Sequence, residues 1–158
     1  MLVRFLLFSV LLITLSFGCN LEDDNSLVCP AVLCTAPEQS FKLKFLDKNS
    51  DVDLLFGSFT SGVKYQLSDV KIYSSRFKKN VEFKIDSTNK TNKFLVFSTL
   101  VTDEFIISLG NLPTDKLIVE TQFIDQPCCD ELRLTKLTLN ASVIPFTQFT
   151  PVTIILKK

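Results

Sequence analysis

From position 41 onward, apolar and polar residues alternate in short runs separated by polar clusters. Phe41-Lys42-Leu43-Lys44-Phe45 sets three apolar side chains on one side of an extended chain and two lysines on the other. That period of two is the signature of a half-buried strand. Val70-Lys71-Ile72-Tyr73 and Val81-Glu82-Phe83-Lys84-Ile85 repeat it. Phe94-Leu95-Val96-Phe97 is apolar without a break, as expected of a strand covered on both faces. Runs at 105–109, 117–123, 132–139 and 152–156 complete the series. Turn-forming clusters at 47–51, 86–92, 110–115 and 125–130 punctuate them. No stretch of the mature part sustains the i, i+3, i+4 stripe of a long helix. Some eight or nine strands at this spacing predict an all-β domain. The expected fold is an antiparallel β-sandwich of Ig-like or Greek-key arrangement, with a small lipocalin-like β-barrel as the alternative. The chain has no tryptophan, so the buried strand-C Trp of antibody domains is missing and the likeness is one of architecture.

The first 40 residues follow another pattern. Met1-Leu2-Val3-Arg4 is short and basic, and Phe5 to Phe17 is an apolar run interrupted only by Ser and Thr. The run is short for a bilayer span and is not followed by a stop-transfer pattern, so a signal peptide is the better reading. Small Gly18 stands directly before Cys19, after Leu15-Ser16-Phe17, and Asn20-Leu21-Glu22-Asp23-Asp24-Asn25 is an acidic stretch. Gly18-Cys19 resembles the lipobox of bacterial lipoproteins, and the acidic stretch resembles the surface-export tag of bacteroidete-type lipoproteins. Ser16 departs from the aliphatic residue usual three places before the lipidated cysteine. Taken whole, the chain resembles the uncharacterised small β-sandwich lipoproteins of that surface-exported type. The resemblance implies a signal peptide at 1–18, a lipidated Cys19 with an acidic tether and lead-in segment at 19–40, and a β-sandwich at 41–158. It also implies an outer-membrane address by lipid anchor, exposed at the cell surface or otherwise facing the periplasm.

Removing Cys19 leaves Cys29, Cys34, Cys128 and Cys129. An even number of cysteines in an exported domain reads as two disulfides. The favoured pattern joins Cys29 and Cys34 separately to Cys128 and Cys129; a local Cys29–Cys34 link with a vicinal Cys128–Cys129 ring is the competing one. Zinc at all four fits poorly, because one pair is adjacent and the other has four residues between.

Charge and composition mainly exclude. The chain holds 17 Lys/Arg and 17 Asp/Glu, and removing Arg4 with the signal leaves 16 against 17. So balanced a surface carries no nucleic-acid footprint. There is no histidine, which removes Ser-His-Asp and Cys-His catalysis and histidine metal sites. No cofactor is implied.

Four oxygen-bearing side chains, Asp47, Asn49, Asp51 and Asp53, alternate as at the start of an EF-hand loop. The loop pattern then fails at Val52, where glycine is needed, and at Ser58, where glutamate is. These four therefore remain candidates only for a non-EF calcium site. Gly57-Ser58-Phe59-Thr60-Ser61-Gly62 is not a G-x-S-x-G nucleophile loop and has no histidine base. Asp103-Glu104 and Asp130-Glu131 are adjacent carboxylates, which point to opposite faces of a strand. Asn89-Lys90-Thr91 and Asn140-Ala141-Ser142 are glycosylation sequons in form, a pattern without that meaning in a bacterial lipoprotein. Arg76-Phe77-Lys78-Lys79 interleaves an aromatic with cations and could touch phosphate or an anionic surface.

The functional expectation is a lipid-anchored, non-enzymatic binding or assembly module of the cell envelope. Its partners would be the membrane through the lipid and another envelope protein or a glycan. One alternative is an extracellular carbohydrate-binding or nutrient-uptake accessory domain, favoured if Tyr65 and Tyr73 share a groove. The other is a carboxylate-dependent hydrolase, which needs two carboxylates facing across a cleft.

Overall fold

The structure, a computed structural model, describes residues 38–58, 64–90, 92–126, 128–148 and 151–158. The chain divides into two compact units, Met1–Val32 and Leu33–Lys158, and everything described lies in the second. The signal peptide, Cys19, the acidic stretch, Cys29 and Cys34 lie outside the described residues.

The described fold is an all-β sandwich of two sheets that do not close into a barrel, which removes the lipocalin-like alternative. Ten strands build it: β1 (Gln39–Leu46), β2 (Val70–Ser74), β3 (Lys79–Asn80), β4 (Lys84–Asp86), β5 (Phe94–Thr99), β6 (Asp103–Leu109), β7 (Asp115–Ile124), β8 (Glu131–Leu139), β9 (Ser142–Val143) and β10 (Val152–Lys157). One sheet runs β10-β1-β5-β4 and the other β3-β2-β6-β7-β8-β9. Every pairing between these strands is antiparallel except β1 with β10, which are parallel from Phe41↔Val152 to Leu46↔Lys157. Among the described residues, no helix is long and apolar enough to cross a membrane.

Alternation makes the core. Phe41, Leu43 and Phe45 of β1, Leu95 and Phe97 of β5, and Val152, Ile154 and Leu156 of β10 are buried from one sheet. Val70, Ile72, Phe105, Ile107, Leu109, Leu117, Val119, Leu134 and Leu137 meet them from the other in a single cluster. Each such side chain contributes about 1.5–3 kcal/mol by leaving water. Three rings join the layers: Phe97 stacks on Phe41 with centroids 5.3 Å apart and meets the edge of Phe105, also at 5.3 Å.

The structure alters the sequence reading in four places. β1 begins at Gln39, two residues before the alternating run. The run Val81–Ile85 is not one strand: Val81 N–H still bonds Ile72 C=O at 2.7 Å, while Lys84 already pairs with Val96 in the opposite sheet. Residues 81–83 thus cross between sheets, and Val81 and Phe83 pack against the core as they do so. In β5 only Leu95, Phe97 and Thr99 are buried, so the strand is not covered on both faces. Its outer face is sheltered by lysine stems, with the Lys44 and Lys42 ammonium groups 5.2 and 5.7 Å from the Phe94 ring. Finally, β8 carries a bulge opposite Glu120/Thr121.

Candidate functional site

The basic run Arg76-Phe77-Lys78-Lys79 lies at the tip of the β2–β3 hairpin, whose loop 75–78 is closed by the pair Ser74↔Lys79. The loop is tied down from below. Ser74 is fully buried and Asp103 is 5% exposed. Ser74 Oγ donates to Asp103 Oδ2 at 2.5 Å and accepts from Phe77 N–H at 3.0 Å. Asp103 Oδ1 accepts from Arg76 N–H at 3.0 Å and from Glu104 N–H at 2.7 Å. Ser75 N–H reaches Glu104 C=O at 2.9 Å. A buried carboxylate is costly unless hydrogen-bonded, and Asp103 meets that cost by accepting from two donors of the hairpin and one of its own strand. Lys78 takes the left-handed conformation that completes the turn, with φ 52°. The consequence is a fixed backbone that presents Phe77 to solvent, 54% exposed.

Beside this tip runs a groove of about 790 Å³. It lies where the crossing segment 81–83 bridges β3 of one sheet to β4 of the other. Phe97, Phe105, Val81 and Phe83 give it apolar walls, and Phe77 and Leu100 stand on it. Leu100 is 47% exposed, so two large apolar side chains are left unsheltered along one groove. Its polar lining includes Ser40 and Ser98, whose hydroxyls bond each other at 3.0 Å, with Lys79, Lys84, Glu38 and Glu82. Asp103 also lines it. Such a surface suits a ligand that is apolar along its length and polar at its edges.

The calcium candidates do not converge. Asp47 Oδ1 accepts from Asn49 N–H at 3.0 Å and Ser50 N–H at 3.1 Å, and Oδ2 meets Lys64 at 3.2 Å. Those bonds, the one from Asn49 N–H first, hold the Asp47 pKa down to about 2. Asp51 pairs with Lys157 at 2.7 Å. Asp53 Oδ1 caps Leu55 N–H and Phe56 N–H at 2.9 and 3.0 Å, and Oδ2 lies 3.5 Å from Lys44. The carboxylates are thus spent on turn N–H groups and lysines, and Asn49 contributes its own N–H rather than a ligand oxygen. Among the described residues, no group of three or more His, Cys, Asp or Glu side chains is placed to hold a metal ion.

Cys128 and Cys129 are disulfide-bonded. No disulfide joining two described residues is seen. They stand in the connection between β7 and β8. Of the adjacent carboxylates, Asp103 is buried while Glu104 points outward to Lys116 at 2.6 Å. Glu131 is held by Arg133 through two bonds, at 2.8 and 3.1 Å, which lower its pKa and raise that of Arg133. Tyr65 packs on the core and against Gly110, and neither it nor Tyr73 lines the groove. Residues 59–62 of the Gly57–Gly62 stretch lie outside the described residues.

Sequence reasoning marked the basic run but missed the Ser74–Asp103 anchor, Leu100 and the groove. These come from four separate segments, and nothing local in any of them signals the meeting. No family model matches the chain, and no curated protein or solved structure does either.

Proposed function

We propose that the chain is a lipid-anchored lipoprotein of the cell envelope whose β-sandwich is a non-enzymatic binding or assembly module. The groove beside the β2–β3 hairpin receives a segment of another envelope protein. The observation that carries this reading is the exposure of Leu100 on an apolar-walled groove whose most buried carboxylate, Asp103, already has its hydrogen bonds filled. A group so engaged serves the fold, while Leu100 and the apolar groove walls supply area for a partner to cover. Gly18-Cys19 and the acidic stretch 20–25 support an outer-membrane, surface-exposed address. Cys29 and Cys34, in bridges to Cys128 and Cys129, fasten the lead-in segment to the domain.

The test is a crosslinking pull-down of the lipidated protein from intact envelopes, run beside Leu100→Glu. Leu100 is exposed, so the substitution spares the core. One or two envelope proteins recovered in stoichiometric amount with the parent, and lost with Leu100→Glu, are the expected result. Recovery of nothing above background with the parent sinks the module reading.

A further inference from the structure

We infer that the hairpin tip Arg76–Lys79 is a second membrane contact, with Phe77 seated among anionic lipid headgroups and Arg76, Lys78 and Lys79 paired to their phosphates. The inference rests on the lipid-anchored reading for its proximity to a bilayer. Nineteen residues lie between Cys19 and Gln39, a span of at most ~70 Å.

Three observations point to lipid. The first is charge left unspent. Lys42, Lys44, Lys64, Lys116, Arg133, Lys136, Lys157 and Lys158 each sit within salt-bridge distance of a carboxylate. Among the described residues Lys48, Lys71, Lys84, Lys90 and Lys93 also lack a carboxylate partner, but only Arg76, Lys78 and Lys79 gather three such cations within four residues; Arg76 Nη1 donates to the Thr102 carbonyl at 3.3 Å. The second is the aromatic between them. Phe77 is 54% exposed on the turn itself, between the cations, so its ring is open to a headgroup layer. Apolar burial together with attraction to anionic lipid is the physics of interfacial binding. The third is stiffness. The N–H groups of Ser75, Arg76 and Phe77 are all bonded to the body of the domain, so little chain entropy is lost when the tip docks. Glu82, Glu38 and the buried Asp103, on the adjoining groove, oppose the contact, and with Lys84 on the same lining the cations remain in excess.

The absence of tryptophan gives a clean probe. Phe77→Trp in the full-length chain is the only indole present, and Val143→Trp, at a position 67% exposed on the β8–β9 hairpin, is its control. Both are incorporated into phosphatidylcholine vesicles with and without phosphatidylglycerol. The expected result is a blue shift and quenching by brominated acyl chains for Phe77→Trp alone, only with phosphatidylglycerol, fading as salt is raised. Each alanine at 76, 78 or 79 should lower the ratio of docked to free tip about fivefold, and all three together roughly 150-fold. A solvent-like spectrum at position 77 in both vesicles overturns the inference, as does an equal shift at position 143. A shift at 77 that needs added envelope protein also overturns it and assigns the tip to a protein partner. Whether Cys19 is acylated is read separately, by labelled fatty acid in parent and Cys19→Ser chains. Failure there removes the anchor and leaves the tip's spectrum to decide the contact.

Discussion

Asn140 and Ala141 both hold positive φ, 48° and 69°, in the two-residue connection between β8 and β9. Such a turn matches the twist of the strands it joins and asks for Asn-Gly. Asn140 suits its place: its Oδ1 accepts from Lys116 N–H at 2.8 Å and its Nδ2 donates to Asp115 at 2.7 Å. Ala141 does not, since its Cβ makes the left-handed conformation cost about 1–2 kcal/mol. Ala141→Gly should therefore stabilise the protein by several tenths to about 1 kcal/mol, after the greater freedom of glycine in the unfolded chain is subtracted. The check is a higher urea midpoint with an unchanged slope. Asp47 gives a prediction in pH. Its folded pKa of about 2 lies below its ordinary value of 3.8, so the unfolded chain takes up the proton first on acidification. The stability it adds is complete above about pH 4 and is lost as pH falls toward 2. Asp47→Asn should show a shallower fall in stability across that window than the parent, measured by denaturant titration at stepped pH. Equal slopes would mean that the turn bonds do not discriminate between charged and neutral Asp47.

Strand β8 shows how one residue reconciles a sequence with a sheet. Leu132, Leu134 and Leu137 all face the core, although two residues separate the second from the third. The ladder absorbs this by a bulge: Thr121 pairs with Leu134, Glu120 pairs with Lys136, and Thr135 is left over. Its hydroxyl donates to Glu120 C=O at 2.9 Å. Deleting Thr135 leaves Leu132-Arg133-Leu134-Lys136-Leu137-Thr138-Leu139, a strict alternation with every leucine inward. That chain should fold, with stability changed by about 1 kcal/mol for the lost bond. Deleting Thr138 does the reverse, because Leu139 then turns outward and the 140–141 turn moves out of register, at a cost of about 2 kcal/mol or more. Comparable urea midpoints for the two deletions would refute the bulge account. The strands with full alternation are legible in the sequence, whereas 132–139 reads as one alternating run and its break between Leu134 and Leu137 emerges only from the ladder. Two-residue strands such as β3 and β9 leave no period to read. The split of Val81–Ile85 is hidden because a segment crossing the open side of a sandwich alternates as a strand does. The parallel partnership of β1 and β10 is hidden for a related reason: alternation says which face a residue takes, never which neighbour its backbone bonds. The candidate site suffers most, since Leu100, Phe83, Ser74 and Asp103 are ordinary residues until the fold gathers them.

At the scale of the whole molecule, the buried cluster of the described residues contains no cysteine, so two kinds of cohesion can be separated. The core holds the two sheets together, whereas the disulfides restrain how far the chain can spread once that core is lost. Cys128 and Cys129 are disulfide-bonded at the β7–β8 connection. Bridges from there to Cys29 and Cys34 would each close a loop of about 95–100 residues, worth up to ~4.7 kcal/mol in the chain-entropy model. The same bridges would cut the longest covalent path from the lipid to the domain to the ten residues from Cys19 to Cys29, a reach of ~35 Å or less. A domain so leashed meets the bilayer at high effective concentration, which favours a weak contact such as the hairpin tip. The stability and the leash therefore stand or fall on one connectivity. Non-reducing peptide mapping should recover peptides holding Cys29 and Cys34 joined to the one holding Cys128 and Cys129. Mild reduction should lower the urea midpoint while leaving a cooperative transition, because the sheets keep their core. A map with Cys29 joined to Cys34 and Cys128 to Cys129 predicts otherwise. Its loops are short, reduction would then move the midpoint little, and the leash would lengthen to the full run from Cys19 to Gln39.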